Sequence, residues 1–290
     1  MLFANCHFHS IFSDGVYTPE QLVELAKQIG HKALILTDHD TMRGCYFLQK
    51  AAHKAGMLTL TGCEFTTQWG DTGFHLVGVD FNPENENLRR LIAHGAAKQT
   101  KRTEYMFHYG QEQGTLRKGV TWKEVAEAFP DNDYLCNNQV FAVMLKKGIY
   151  RPEEYPDFIK YNFSYRLPIN ERMEQITGCR TLELEEVVEG IRKAGGIPVI
   201  AHPCRQQEYV KELLKIGVMG FETRHPSMTP EECDFFDRIC DEYGLYKSGG
   251  TDHSSLMGGN EKVMPRHNLP PECGYVTEAD FMAMYRREKG

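Results

Sequence analysis

The chain has 290 residues, 41% of them hydrophobic and 25% charged, which suits a globular protein of one large α/β domain or two ordinary ones. Its formal charge of −7 argues against tight binding to long nucleic acid, but not against a short phosphorylated ligand at a metal site, where the ion supplies local positive charge. No run approaches the roughly 20 apolar residues that span a bilayer, and the start MLFANCHFHS lacks a secretory pattern, so a cytoplasmic protein without a membrane partner is expected.

In chain order, LFANCHFHS reads as a short extended run, and TPEQLVELAKQIG as a helix with Thr18 as N-cap and Pro19 at its first position. KALILTDHD is an apolar run ending in polar residues, as a buried parallel strand does at its C-terminal edge. A helix from about Met42 to Gly56 follows, then the strands MLTLTGCEF and FHLVGVDF. This βαβα rhythm predicts a mostly parallel sheet, open or closed. From about Leu88 to Leu184 the pattern turns helical and polar, with KQTKRTEYMFHYGQEQG, TWKEVAEAFP and QVFAVMLKKG as helices. The α/β rhythm then resumes, with IPVIAHP, GFETRHP and YKSGGTDH as strands between helices. Residues 1–87 and 185–290 are thus expected to form the main domain, and 88–184 an inserted helical subdomain.

Nine scattered cysteines, none in a CxxC, read as buried or incidental thiols. The histidines and carboxylates carry more information. His7 and His9, Asp38 and His39, Glu64, His75, His202, Glu222 with His225, and Asp252 with His253 all stand at the ends of predicted strands. In a parallel α/β barrel those ends meet at one face. Imidazoles and carboxylates packed together repel or go unsatisfied unless cations lie between them. The spacing His7-x-His9 on a strand puts both rings on one face. Neither HxH nor TDHD is specific alone; the ordered set is. His31, His53, His94, His108 and His267 are expected at the surface. Asp40 is expected to orient His39 or to cap the next helix. Gly249 and Gly250 are expected to let the chain approach the site closely.

HFHSIFSDG (7–15), TDHD (37–40), GCEF (62–65), FHLVGVD (74–80), AHPCR (201–205) and SGGTDH (248–253) together resemble the polymerase and histidinol phosphatase (PHP) family. The resemblance covers both ends of the chain and leaves the helical segment and extreme C-terminus unmatched. It implies an α/β fold, a distorted (β/α)7 barrel of the PHP type, holding two or three divalent ions (Mn, Fe, Zn or Mg). By this resemblance His7, His9, Glu64 and Asp252 hold one metal. Glu64, His75 and His202 hold a second, and Asp14 and His39 belong to a third. The family completes that third site with a histidine two residues after the aspartate. This chain has Ser254 there, and His253 one residue early, which on a strand points to the opposite face.

The implied activity is a metal-dependent phosphoesterase releasing inorganic phosphate through a metal-bridging hydroxide. Asp252, His202, Arg205 and His225 are the expected catalytic residues, with Arg205 and His225 reaching the phosphate. Substrates of the resembling proteins include nucleoside monophosphates and bisphosphates, short RNA trimmed from the 5′ end, and cyclic sugar phosphates. Nucleotide-acting relatives carry a basic stretch resembling SRTHFAR, where this chain has NNQVFAVMLKKG. A small sugar phosphate, including a cyclic one, therefore stands beside a nucleotide as a serious option, with Asn137, Asn138, Tyr165 and Arg166 lining its pocket. A C–N hydrolase and a non-catalytic metal scaffold are the alternatives from other classes.

Overall fold

The computed structural model describes residues 3–253 and 275–286. The N-terminal part runs Ala4–Asn5 (β1), Pro19–Ile29 (α1), Ala33–Leu34 (β2), Arg43–Lys54 (α2) and Leu58–Thr59 (β3), with β1, β2 and β3 paired in parallel. Helix α1 starts as expected, with Thr18 and Gln21 in a reciprocal capping box and Pro19 in the first turn.

Strands Gly62–Trp69 (β4) and Thr72–Val79 (β5) then form an antiparallel hairpin that pairs Thr66 with His75. A helical stretch follows: Glu86–Gln113 (α3), Trp122–Ala128 (α4), Asn137–Lys146 (α5), Tyr155–Phe158 (α6) and Met173–Thr177 (α7). The chain resumes with Leu182–Glu183 (β6), Leu184–Lys193 (α8), Ile197–Ile200 (β7), Val210–Lys215 (α9), Gly220–Arg224 (β8), Pro230–Tyr243 (α10), Tyr246–Gly249 (β9) and Glu278–Tyr285 (α11). The larger sheet has the order β6-β4-β5-β7-β8-β9. It is parallel except at β5, which runs against both β4 and β7.

FHLVGVDF is therefore the return arm of a hairpin. Residues 70–71 join it to β4 directly, too short a link for the helical crossover that a parallel partner needs. Glu64 and His75 consequently lie inside long strands rather than at strand ends.

Further hydrogen bonds join the two sheets. Cys6 N–H donates to Gly249 O (3.0 Å), Asp252 N–H to His7 O (2.8 Å) and His9 N–H to His253 O (2.9 Å). On the other side Glu64 N–H donates to Asp38 O (3.2 Å) and Asp40 N–H to Glu64 O (2.8 Å). One apolar cluster draws on both sheets: Ala4, Ala33, Ile35, Val77, Val79, Ile197 and Val199, with Phe281 and Met284 of α11 against it. A second packs α3, α8, α9 and α10 on the outer face of the larger sheet, through Leu88, Val187, Val188, Leu213, Phe221 and Phe236. The helical stretch has a separate cluster, including Met106, Phe107, Val125, Val140, Phe141, Met144, Phe158 and Phe163.

His31 is buried, not exposed: it sits at 3% exposure with its ring 4.9 Å from Tyr275. It lies in the short link between α1 and β2, and burial lowers its pKa to about 4. Asp40 neither caps α2, whose N-cap is Met42, nor faces solvent. It lies against Gly95 of α3, where a Cβ would come within 2.3 Å of its Oδ1. Cys6, Cys45, Cys63, Cys136, Cys179, Cys204 and Cys240 are free thiols; His267 and Cys273 lie outside the described residues. No described helix is long and apolar enough to cross a membrane.

Candidate metal centre

Glu64, fully buried on β4, divides five imidazoles between its two oxygens. Oε2 lies 3.0 Å from His7 Nε2, 3.2 Å from His9 Nε2 and 3.3 Å from His39 Nδ1. Oε1 lies 2.7 Å from His75 Nδ1 and 3.2 Å from His202 Nε2. Asp252 stands opposite, with Oδ1 at 3.0 Å from His9 Nε2 and 3.6 Å from His7 Nε2, and Oδ2 at 3.4 Å from His225 Nε2. Asp14 Oδ1 is 3.6 Å from His9 Nδ1, and its Oδ2 is 4.0 Å from His39 Nε2.

Local backbone explains the convergence. His7 and His9 alternate with Phe8, which turns into the apolar cluster beneath α1 and α2. Gly250 crosses directly over His7, and a Cβ there would stand 2.3 Å from His7 N, so only glycine fits. His202 and Asp252 hold left-handed backbone (φ +30° and +46°), which is costly for residues with a Cβ and concentrates at functional sites. Asp38 fixes the loop that carries Asp14: it accepts from Ser10 N–H (2.7 Å), Ser10 Oγ (2.6 Å) and Ser13 Oγ (2.6 Å).

The electrostatics favour cations. Burial alone would lower His7 and His9, yet Glu222 and Glu64 around His7, and Asp14, Asp252 and Glu64 around His9, hold both rings well above their ordinary pKa. Burial alone would raise Glu64 and Asp252, yet the surrounding imidazoles keep both well below the usual carboxylate range. His39, where burial wins, drops to about 4 and stays a neutral donor. His39 Nδ1 is buried without a hydrogen bond, as expected of a nitrogen that faces an ion. Ligand-type atoms of His7, His9, Glu64 and Asp252 gather within 4.8 Å of one another, as do those of His39, Glu64 and His75, and those of His9, Asp14 and His39. These donor sets fit divalent cations.

Other expected residues are placed differently. His253 stacks its ring 5.7 Å from Tyr17 and belongs to none of the metal-type groups among the described residues; Ser254 lies outside them. His225 is buried beside Asp252, its Nδ1 accepting from Ser227 N–H at 3.1 Å. Arg205 is exposed with φ +58°, its backbone N–H held by Glu232 Oε1 at 2.8 Å. Asn138 Nδ2 donates to the backbone carbonyl of Asp14, and Asn137 Nδ2 to the Tyr155 hydroxyl at 3.2 Å. Arg166 is exposed; Tyr165 lies under the Arg102 guanidinium, 3.8 Å from CZ to ring centroid.

Sequence reasoning missed the contacts between α5 and the Asp14 loop. Gln139 Nε2 donates to Ser13 O (2.5 Å) and Ile11 O (3.3 Å), Asn132 Nδ2 to Ile11 O (2.8 Å), and Asn138 to Asp14 O. Tyr134, from the same segment, lays its ring parallel to His39 at 6.3 Å. The amide-rich run at 137–139 was the available signal, but it does not say which carbonyls it meets.

An α/β framework gathering this many imidazoles and carboxylates is that of a metal-dependent hydrolase, and comparison with known proteins supplies the ester. A PHP domain model matches residues 5–137. The chain is 30% identical to the 5′-3′ exoribonuclease Rnm of Salmonella typhimurium, covering 85% of this chain and 83% of that protein. It is 26% identical to the 3′,5′-nucleoside bisphosphate phosphatase of Chromobacterium violaceum, over 92% of each. A solved structure described as a metal-dependent phosphoesterase from Bifidobacterium adolescentis shares the fold, with a TM-score of 0.77 at 22% identity over 98% of this chain and 95% of that one. The protein is a metal-dependent phosphoesterase. It belongs to the PHP domain family.

Proposed function

We propose that the chain releases phosphate from a small phosphorylated metabolite at a centre of two, and at most three, divalent ions. Glu64 carries this reading: one buried carboxylate turns each of its oxygens to a different group of imidazoles. His7, His9, Glu64 and Asp252 would hold the first ion, and Glu64, His75 and His202 the second. Asp14 and His39 are the residues available to a third. When bound, such ions supply Lewis acidity that activates water and offsets the charge on phosphate oxygens.

The chain's own groups account for the rest. Because His225 Nδ1 accepts a backbone N–H, the neutral ring carries its hydrogen on Nε2, towards Asp252 and the site. It therefore offers a donor for a phosphate or leaving-group oxygen. Arg205 lies three residues beyond His202 and can turn a planar, bidentate guanidinium to the phosphate.

The two sheets are read as arcs of one distorted barrel of the PHP type. Hydrogen bonds at Cys6–Gly249 and His9–His253 on one side, and at Asp38–Glu64 on the other, support that closure. Residues 88–184, with their separate apolar cluster, are read as an inserted subdomain that selects the substrate. The amides of Asn138 and Gln139 are engaged with loop carbonyls, so substrate choice falls to other groups of this segment. A nucleoside bisphosphate or a short RNA 5′ end is the second reading, favoured by the two curated relatives.

The test is phosphate release by manganese-loaded protein from AMP, adenosine 3′,5′-bisphosphate, a five-nucleotide RNA, ribose phosphates and a ribose 1,2-cyclic phosphate. Release abolished by both His9→Ala and Asp252→Asn is expected for at least one. Two bound ions with no release from any would turn the reading towards a C–N hydrolase.

A further inference from the structure

Glu222, at 0% exposure on β8, has no free oxygen. Its Oε1 accepts from His7 Nδ1 at 2.7 Å, and its Oε2 from the backbone N–H of His202 at 2.6 Å. An ionised carboxylate only accepts, so the hydrogen of a neutral His7 ring sits on Nδ1 and the lone pair of Nε2 faces Glu64 and Asp252. The second contact grips His202 where its backbone is left-handed, while its ring reaches Glu64 Oε1 at 3.2 Å. One side chain thus touches a residue from each half of the proposed centre.

We propose that Glu222 is a positioning residue for both halves of the metal centre, fixing the tautomer of His7 and the strained backbone of His202, and is not itself a ligand. The proposal rests on the metal-centre reading above. His7, Glu222 and His225 could by proximity alone hold an ion among themselves. Against that, both Glu222 oxygens face N–H donors, and His225 Nδ1 is taken by Ser227 N–H.

The isosteric Glu222→Gln replaces two acceptors with one acceptor and one NH2 donor. If its oxygen keeps the His202 N–H, the NH2 faces His7 Nδ1 and drives the ring hydrogen to Nε2, where the lone pair is needed. If the amide flips, two donors collide at His202. Either way one of the two contacts is reversed or lost at almost no change of volume.

The experiment is calorimetric titration of metal-stripped wild type and Glu222→Gln with manganese, alongside imidazole 15N–1H spectra of wild type loaded with diamagnetic zinc. Expected are equal numbers of manganese ions per chain at saturation, an affinity about 10–100-fold weaker in Glu222→Gln, and a His7 Nδ1–H signal in the wild type. Unchanged affinity overturns the proposal, as does the absence of that signal. Loss of one whole ion per chain at saturation makes Glu222 a ligand and overturns it too. Wild-type protein that takes up no manganese would sink the metal-centre reading itself, and the role of Glu222 with it.

Discussion

Glu64 is met by imidazoles from positions 7, 9, 39, 75 and 202, whereas Phe141 packs in a cluster drawn only from residues 105–176. The two regions differ in what they store. Around Glu64, charge is concentrated, backbone is strained at His202 and Asp252, and buried nitrogens lack hydrogen bonds; stability there depends on what binds. Around Phe141, Met106, Phe107, Val140, Met144 and Phe158 bury apolar surface locally, and the helices follow from that burial. The regions meet at a small seam, where amides of 132–139 hold the carbonyls of the loop before and at Asp14. The difference teaches that the helical core is built apart from the histidine–carboxylate cluster, so its residues can change without disturbing that cluster provided the seam is kept.

The most severe way to break the contrast is to remove a ligand. Asp252→Asn should cut phosphate release by more than the about 100-fold expected for an outer partner, and lower manganese content while leaving the secondary structure near wild type, read by circular dichroism. Next is Phe141→Ala, expected to cost about 3–5 kcal/mol as a large buried cavity. If the helical core is separate, urea melts of this variant should show an early transition while manganese binding persists. Loss of manganese binding in parallel would erase the distinction between the two regions.

His31 tests the sheet side without touching the histidine–carboxylate cluster. Burial depresses its pKa to about 4 from an ordinary 6.5, so the folded state holds it neutral. Its contribution is present above pH 6.5 and is lost as the pH falls towards 4, because the unfolded chain takes up the proton first. The loss should reach at most about 3 kcal/mol. Urea midpoints of metal-stripped protein at pH 7 and pH 4.5 should therefore differ less in His31→Phe than in wild type. An equal difference would mean that His31 opens to solvent.

The seam should show a smaller effect. Gln139→Leu takes the amide donor from Ser13 O, while Ile11 O keeps Asn132, and should cost about 1–3 kcal/mol, with a fall in turnover larger than any fall in manganese affinity. A fall in affinity alone would mean that the seam serves the ligands instead. Smallest is Arg43→Ala, which removes a half-exposed pair with Asp133 and should cost under about 1 kcal/mol.

Much of the histidine–carboxylate cluster was legible because its chemistry is unusual: buried-strand context beside His, Asp and Glu is costly unless something offsets it. Thr18, Pro19 and the helices of 86–146 were legible for a different reason, since caps and 3.6-residue periodicity act locally. Other features were not. A two-residue turn at 70–71 reverses β5, yet its apolar run reads the same in either direction. His31 looked polar and solvated because the Phe3 and Tyr275 regions that surround it lie far away in sequence. For Asp40 the sequence leaves two readings, a partner of His39 or a helix cap, because the small residue that admits it, Gly95, lies on another helix.

By itself, then, the sequence determined which residue types are available for metal and phosphate chemistry, the alternation of strands and helices, and the helical character of 88–184. Those depend on residue chemistry and on interactions within a few positions. Only the tertiary structure decided how Glu64 divides its oxygens, which atoms Glu222 grips, and which carbonyls the amides of 138 and 139 hold. Each is a hydrogen bond or ion contact of about 3 Å between distant segments, set by packing and strand register that no local pattern encodes.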